Sequence, residues 1–255
     1  MKKIKVIISI LLTAVLLASC SGEKTQADAK KTVLGYKATY LVTTQSGTEY
    51  KNNYEINKNN GQIQISSVVC EPYTTKENGE EKTGEQVISS LILLNEQTLL
   101  PEKVEQTYTV SINARLNSKV EATFNAEQGY AMLKVNKKNS SGEEEEKTHT
   151  VALSEQYFDK DSLAFIIGAL SAGDISIFSS NRDQLQQMQL IIEDEPQKVQ
   201  TDIGEFDCTV YLVKPKTAFT VYGAKFFVDK QSGVCVKVEQ AASSMVITEF
   251  AFDDV

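Results

Sequence analysis

The chain has 255 residues and a formal net charge of −8, with 26 Lys and Arg against 34 Asp and Glu. An acidic balance of this size repels phosphate backbones and anionic head groups, which sets nucleic acid aside as a partner. At 41% hydrophobic residues the composition is that of an ordinary soluble domain. The length suits one large β domain or two small ones, with a sizeable core.

The first 20 residues read as a secretory leader rather than a fold element. Lys2, Lys3 and Lys5 form a positive start, and Val6 to Leu17 is an apolar run broken only by Ser9 and Thr13. That run is short of the roughly 18–20 residues that span a bilayer. It ends in Leu17-Ala18-Ser19-Cys20, which is similar to a bacterial lipobox, with leucine three before the cysteine and small residues between. The similarity implies cleavage before Cys20 and a diacylglycerol on its thiol. The alternatives are an ordinary signal peptide with a coincidental cysteine, and an uncleaved anchor. Losing the three leader lysines leaves 23 basic against 34 acidic residues. Residues 20–32 are expected to form a lipidated tether. Its core, Ser21 to Lys31, is small, polar and charged, and as a coil of about 11 residues spans roughly 18 Å root-mean-square.

Residues 33–255 are expected to form a single β domain. From Val33 the period is two, with Leu34, Tyr36, Ala38, Tyr40 and Val42 on one face. Further strands are expected over 49–57 and 62–70, around the turn Asn59-Asn60-Gly61. Tyr73 to Gly84 is polar and without periodicity, and reads as a loop. Strands follow over 87–94, 103–110, 114–124, 130–135 and 148–153, with a second solvated loop over Lys137 to Lys147. The period then changes. Asp159 can cap a helix, and Leu163, Ile166, Ile167 and Leu170 fall at i, i+3, i+4 and i+7, with Phe165 beside them and Gly173 as terminator. After Ser179-Ser180-Asn181 the alternation returns through Met188, Leu190 and Ile192. A strand over 205–213, a strand over 219–229 and strands over 234–240 and 245–252 complete an antiparallel meander. Nothing in the pattern requires a parallel crossover.

Few residues carry chemistry. With Cys20 lipidated, Cys70, Cys208 and Cys235 remain and are expected to be buried thiols. Cys208 and Cys235 fall two strands apart, about 9–10 Å, too far for a disulfide. His149 is the only histidine. A Ser-His-Asp triad would have to use it, and no serine has a nucleophile-elbow setting. One imidazole does not make a metal site. Glu143 to Glu146 lack the spacing of a calcium loop, and Asp159 and Asp161 are better explained as helix capping than as an acid–base pair. Neither enzyme activity nor a cofactor is expected. The cluster Leu163, Phe165, Ile166, Ile167 and Leu170 either lines a ligand pocket or fills the sheet as core.

Two segments carry a family resemblance. Val199 to Val210, with Gly204, Phe206 and Cys208, resembles a strand entry of a periplasmic domain family. Phe226 to Glu239, with Asp229, Gly233, Lys237 and Glu239, resembles the hairpin that recurs across the lipoprotein-localisation-factor superfamily (LolA- and LolB-like domains). The helix from Asp159 falls where that family has one. Phe227 stands at the family's tryptophan position, and the chain has no tryptophan. The resemblance implies an unclosed, curved antiparallel sheet, or half-barrel, of about 11–12 strands with a helix packed in its concave face, enclosing an apolar pocket for acyl chains or another hydrophobic ligand. The expected function is that of a membrane-anchored, non-enzymatic envelope lipoprotein. It would bind a lipid or acyl chain as carrier or sensor at the outer face of the cytoplasmic membrane or the periplasmic side of the envelope. The alternative is a protein-interaction or envelope-stress module that contacts another envelope protein and has no small-molecule ligand.

Overall fold

Alternation carries most of the chain into strands, and strand register decides which side chains share a face. The computed structural model describes residues 35–77, 79–138, 142–179, 184–216 and 223–252. The leader, Cys20, the tether, Val33, Leu34, the turn at Ser180-Asn181, Phe219 and Tyr222 lie outside the described residues.

Eight strands run first: β1 (Tyr36–Thr44), β2 (Glu49–Asn59), β3 (Gln62–Glu77), β4 (Glu80–Asn95), β5 (Pro101–Val110), β6 (Ser118–Asn125), β7 (Tyr130–Lys138) and β8 (Glu144–Ala152). A short strand, β9 (Tyr157–Asp159), leads into a helical segment. That segment is a 3-10 turn over Lys160–Ser162, a single α turn α1 (Leu163–Ile166) and a second 3-10 turn over Ile167–Ala169. Then come β10 (Gly173–Ser179), β11 (Gln184–Ile192), β12 (Gln197–Thr201), β13 (Gly204–Pro215), β14 (Ala224–Asp229), β15 (Cys235–Glu239) and β16 (Ser243–Phe252).

All 16 strands belong to one sheet, ordered β8-β7-β6-β5-β4-β3-β2-β1-β16-β15-β14-β13-β11-β10-β9, with β12 attached to β13. The first and last strands pair in the middle, Tyr36 opposite Phe252 and Val42 opposite Met245. Hairpin chemistry sets the registers. Between β2 and β3, Asn60 (φ 50°) and Gly61 (φ 79°) both take the left-handed conformation of a two-residue type I′ turn, whose twist matches the flanking strands.

The sheet curls until its two ends overlap without joining. Phe124 of β6 stacks on Tyr157 of β9 (centroids 5.6 Å apart) and meets Phe178 of β10 edge-on at 5.0 Å. β8 touches β11, and β5 touches β9. The buried apolar side chains form one core. The helical segment lies in the concavity. Phe165 packs on Tyr54 of β2 (4.7 Å) and Tyr36 of β1 (6.4 Å), and Tyr211 of β13 donates a hydrogen bond to the Gly168 carbonyl at 3.3 Å. Gly168 permits that approach, because a Cβ there would sit 3.1 Å from Val228 Cγ1. The fold is therefore all-β with one short helix against an unclosed sheet.

Several expectations need correction. The strands of the described residues number 16 rather than about 12, and β9, β10 and β12 have no counterpart among the thirteen expected ranges. β10 hides from a period-two reading because both of its faces are covered. Ile175 and Ile177 are buried on one, Ser176 and Phe178 on the other. β9 and β10 are parallel, and the helical segment is the connection between them. The helix itself is shorter than the apolar spacing predicts, broken by 3-10 turns at both ends. Tyr73 to Gly84 is not a loop: β3 and β4 continue as a projecting hairpin, with Thr74 opposite Thr83 and Lys76 opposite Glu81. Solvent on both faces removes any need for an apolar period, and the ladder with cross-strand polar pairs sustains it. The second expected loop narrows likewise, since β7 runs to Lys138 and β8 begins at Glu144. Residues 114–116 form a 3-10 turn ahead of β6.

Cys208 and Cys235 are free and buried on β13 and β15, with β14 between them, and burial pushes each thiol up to about 12. Cys70 is exposed, contrary to the expectation of a buried thiol, because it takes the outer phase of β3.

Candidate functional site

The inner face of the N-terminal strands changes chemistry from one cross-strand row to the next. Across β2, β3, β4 and β5 the row Ile56–Ile65–Ile92–Val104 is fully buried and closes a floor. The next row on the same face is Tyr54–Ser67–Ser90–Gln106, followed by Asn52–Val69–Ile88–Tyr108 and then by Glu71 opposite Gln86. Side chains too short or too polar to complete a core leave space above the floor. The result is a cavity of about 680 Å³, open at the end where Glu71 and Gln86 lie.

Its two walls differ. β2 to β5 supply the hydroxyls, amides and carboxylates of the rows above. The opposite wall is mainly apolar, from Ile177, Met188, Val213, Phe226, Val238 and Met245, with Leu163, Ala164 and Phe165 of the helical segment between the two. A second hollow of about 520 Å³ lies along β1, β2, β3 and β16, but surface residues line it, among them the ion pair of Lys37 and Glu55 at 3.1 Å.

The polar wall is tied to the helical segment. Gln106, 3% exposed, donates from Nε2 to Asp161 Oδ2 at 2.7 Å, and Tyr108 donates its hydroxyl proton to Gln106 Oε1 at 2.9 Å. Burial, then the charges of Asp161, Asp159 and Glu71, pushes the Tyr108 hydroxyl up to about 12, so it stays a neutral donor. Tyr50 is hydrogen-bonded to Glu71, whose carboxyl is raised by burial against the opposing effect of that bond. Asn52 donates from Nδ2 to the Tyr54 hydroxyl at 3.3 Å, while its Oδ1 is buried without a partner, alone in this among side-chain atoms of the described residues. Leaving such a group unpaired costs about 1–3 kcal/mol.

Asp159 anchors the start of the helical segment. It is 1% exposed, its Oδ1 accepts the Asp161 backbone N–H at 2.9 Å, and its carbonyl accepts from Ser162 Oγ at 2.9 Å. Burial, and after it the charge of Asp161, holds its carboxyl well above the usual range. The expected capping role is present.

The five apolar residues singled out from sequence divide into two groups. Leu163 and Phe165 face the cavity, whereas Ile166, Ile167 and Leu170 are 1%, 0% and 4% exposed in the core beneath it and are not part of its wall. Cys20 lies outside the described residues. His149 is exposed on β8, opposite Leu133 of β7. Glu145 and Glu146 belong to β8 and pair with Lys147 at 3.3 Å and Lys134 at 3.9 Å. Among the described residues no cluster of His, Cys, Asp and Glu could hold a metal ion. Sequence reading missed Asn52, Ser67, Ser90 and Gln106. The available signal was phase: each continues the inward face of a strand whose neighbouring inward residue is Tyr54, Ile65, Ile92 or Val104.

No family model matches the chain, and no curated protein matches it.

Proposed function

We propose that the protein is a membrane-anchored, non-enzymatic envelope lipoprotein that binds a hydrophobic ligand, a lipid or acyl chain, as carrier or sensor. The observation that carries this reading is the open cavity of about 680 Å³ between helical segment and sheet, with a mainly apolar wall on one side. Small-molecule sites are concave, largely apolar and about 300–1,000 Å³ in volume. The lipobox-like end of the leader supports the anchor, with Cys20 as the lipidated residue. The resemblance of the last hundred residues to lipoprotein-localisation-factor domains supports the ligand class. The location that follows is the outer face of the cytoplasmic membrane or the periplasmic side of the envelope.

The variant Ser90→Phe tests it. Ser90 sits mid-row with Ser67 and Gln106 as cross-strand neighbours, so a phenyl ring fills space rather than displacing core. Titration with dodecyl amphiphiles is expected to show saturable binding to the parent protein and at least tenfold weaker binding to Ser90→Phe, with unchanged melting temperature. Equal binding by the two proteins would place the ligand elsewhere.

The projecting hairpin favours a second reading, a protein-interaction module. Residues 72–77 and 80–84 pair in the ladder only with each other, beyond the ends of their neighbours' pairing, and most of them are exposed. Crosslinking from Lys76 in intact cells that recovers one protein in stoichiometric yield, with no lipid in native mass spectra, would favour this reading over the carrier.

A further inference from the structure

The polar wall carries an inference about the ligand's head group, and it rests on the reading of the cavity as a hydrophobic-ligand site. We infer that the ligand is an amphiphile whose polar end is a protonated amine. The first observation is Asn52. It is 8% exposed, it lines the cavity, its Nδ2 is engaged by Tyr54, and its Oδ1 has no partner among the described residues. Orphaned buried oxygens are rare in folded proteins, and this one accepts a hydrogen bond from whatever donor reaches it.

The second observation is the balance of charge. The charged side chains of the lining are Glu71, Asp161 and Lys160, two carboxylates against one ammonium, with Glu71 half-buried and Lys160 and Asp161 both exposed at the start of the helical segment. Gln106 does not offset this, since its Nε2 is directed to Asp161 and its Oε1 accepts from Tyr108. The third is aromatic: rings of Tyr50, Tyr54, Tyr108, Phe165 and Phe226 border the same space, and ring faces attract cations. A carboxylate or phosphate head would meet Glu71, Asp161 and the Asn52 oxygen, all acceptors. An alkylammonium brings donors rather than acceptors to this lining, while its chain lies on the apolar wall.

The test uses dodecylammonium and dodecanoate, which share one chain, below their micellar concentrations at pH 7.5. Dodecylammonium is expected to bind at least tenfold tighter than dodecanoate. Asn52→Leu is expected to weaken the amine roughly tenfold while leaving the melting temperature unchanged or higher, because it deletes an unpaired buried oxygen. Glu71→Gln, near-isosteric at the open end, is expected to reduce the preference for the amine, and it reports even where Asn52→Leu does not fold. Equal affinity for the two probes, or an amine affinity indifferent to both variants, overturns the head-group assignment and leaves the cavity reading standing. Absence of binding by either probe, or binding that Ser90→Phe does not block, overturns the cavity reading itself.

Discussion

Replacing Phe178 by alanine is expected to destabilise the fold by about 3–5 kcal/mol, the cost typical of emptying a buried phenyl site. Phe178 is 0% exposed and meets Phe124, the residue through which β6 also holds Tyr157. The overlap of the sheet ends has no ladder hydrogen bonds to fall back on, so this aromatic contact carries much of the closure. Natural domains have only about 5–15 kcal/mol in hand. At roughly 2–4 °C per kcal/mol for a domain of this size, the melting temperature should fall by about 6–20 °C. Differential scanning calorimetry on Phe178→Ala and Phe178→Leu checks it. A loss under about 1 kcal/mol in the alanine variant would show that the ends are held some other way.

The second large effect concerns Asp159 and has a pH signature. A carboxyl whose folded-state value is raised binds its proton more tightly in the native than in the unfolded chain. From the ordinary aspartate value of 3.8 up to the raised one, the native state therefore carries the extra proton, and stability falls as pH rises. The maximal slope for one group is about 1.4 kcal/mol per pH unit. Asp159→Asn keeps an acceptor for the Asp161 N–H and removes the ionisation. It is expected to be more stable than the parent at neutral pH, with the gap closing as pH is lowered toward 4. Asp159→Ala loses the cap as well, at about 1 kcal/mol. Urea unfolding of the three proteins between pH 4 and 8 makes the comparison. Parallel stability curves for parent and Asp159→Asn would mean that Asp159 titrates as an ordinary surface carboxyl.

What could be read from sequence follows from where water lies. The meander strands with one wet and one dry face announced themselves: Tyr36, Ala38, Tyr40 and Val42 are all 4% exposed or less, as their alternation implies. Apart from the short β12, the stretches that escaped notice are those whose two faces see much the same medium. β10 is dry on both sides and lost its alternation to a run of buried residues, and the hairpin arms 72–77 and 80–84 are largely wet and never had one. The helical stripe was legible, but not its division. A 3.6-residue period says which residues leave water, and cannot distinguish Ile167, surrounded by core, from Phe165, at the edge of a void. The void itself was written in polar residues at inward phase, such as Ser67 and Ser90, which in one dimension look like any solvent-facing serine. Only the pairing of four strands aligns them into rows.

The direction of β1 has a consequence for how the cavity could be loaded. The strand starts at Tyr36, level with the sealed floor beside Ile56, and reaches the open end only at Val42, opposite Tyr50. Six residues of extended chain separate the two levels, about 20 Å. Everything N-terminal of residue 35 therefore attaches at the bottom of the cup. If Cys20 holds the anchor, the attachment lies on the floor side of the domain and the open end at the far end of β1. Loading from that membrane would then have to reach the end of the domain farthest from the attachment.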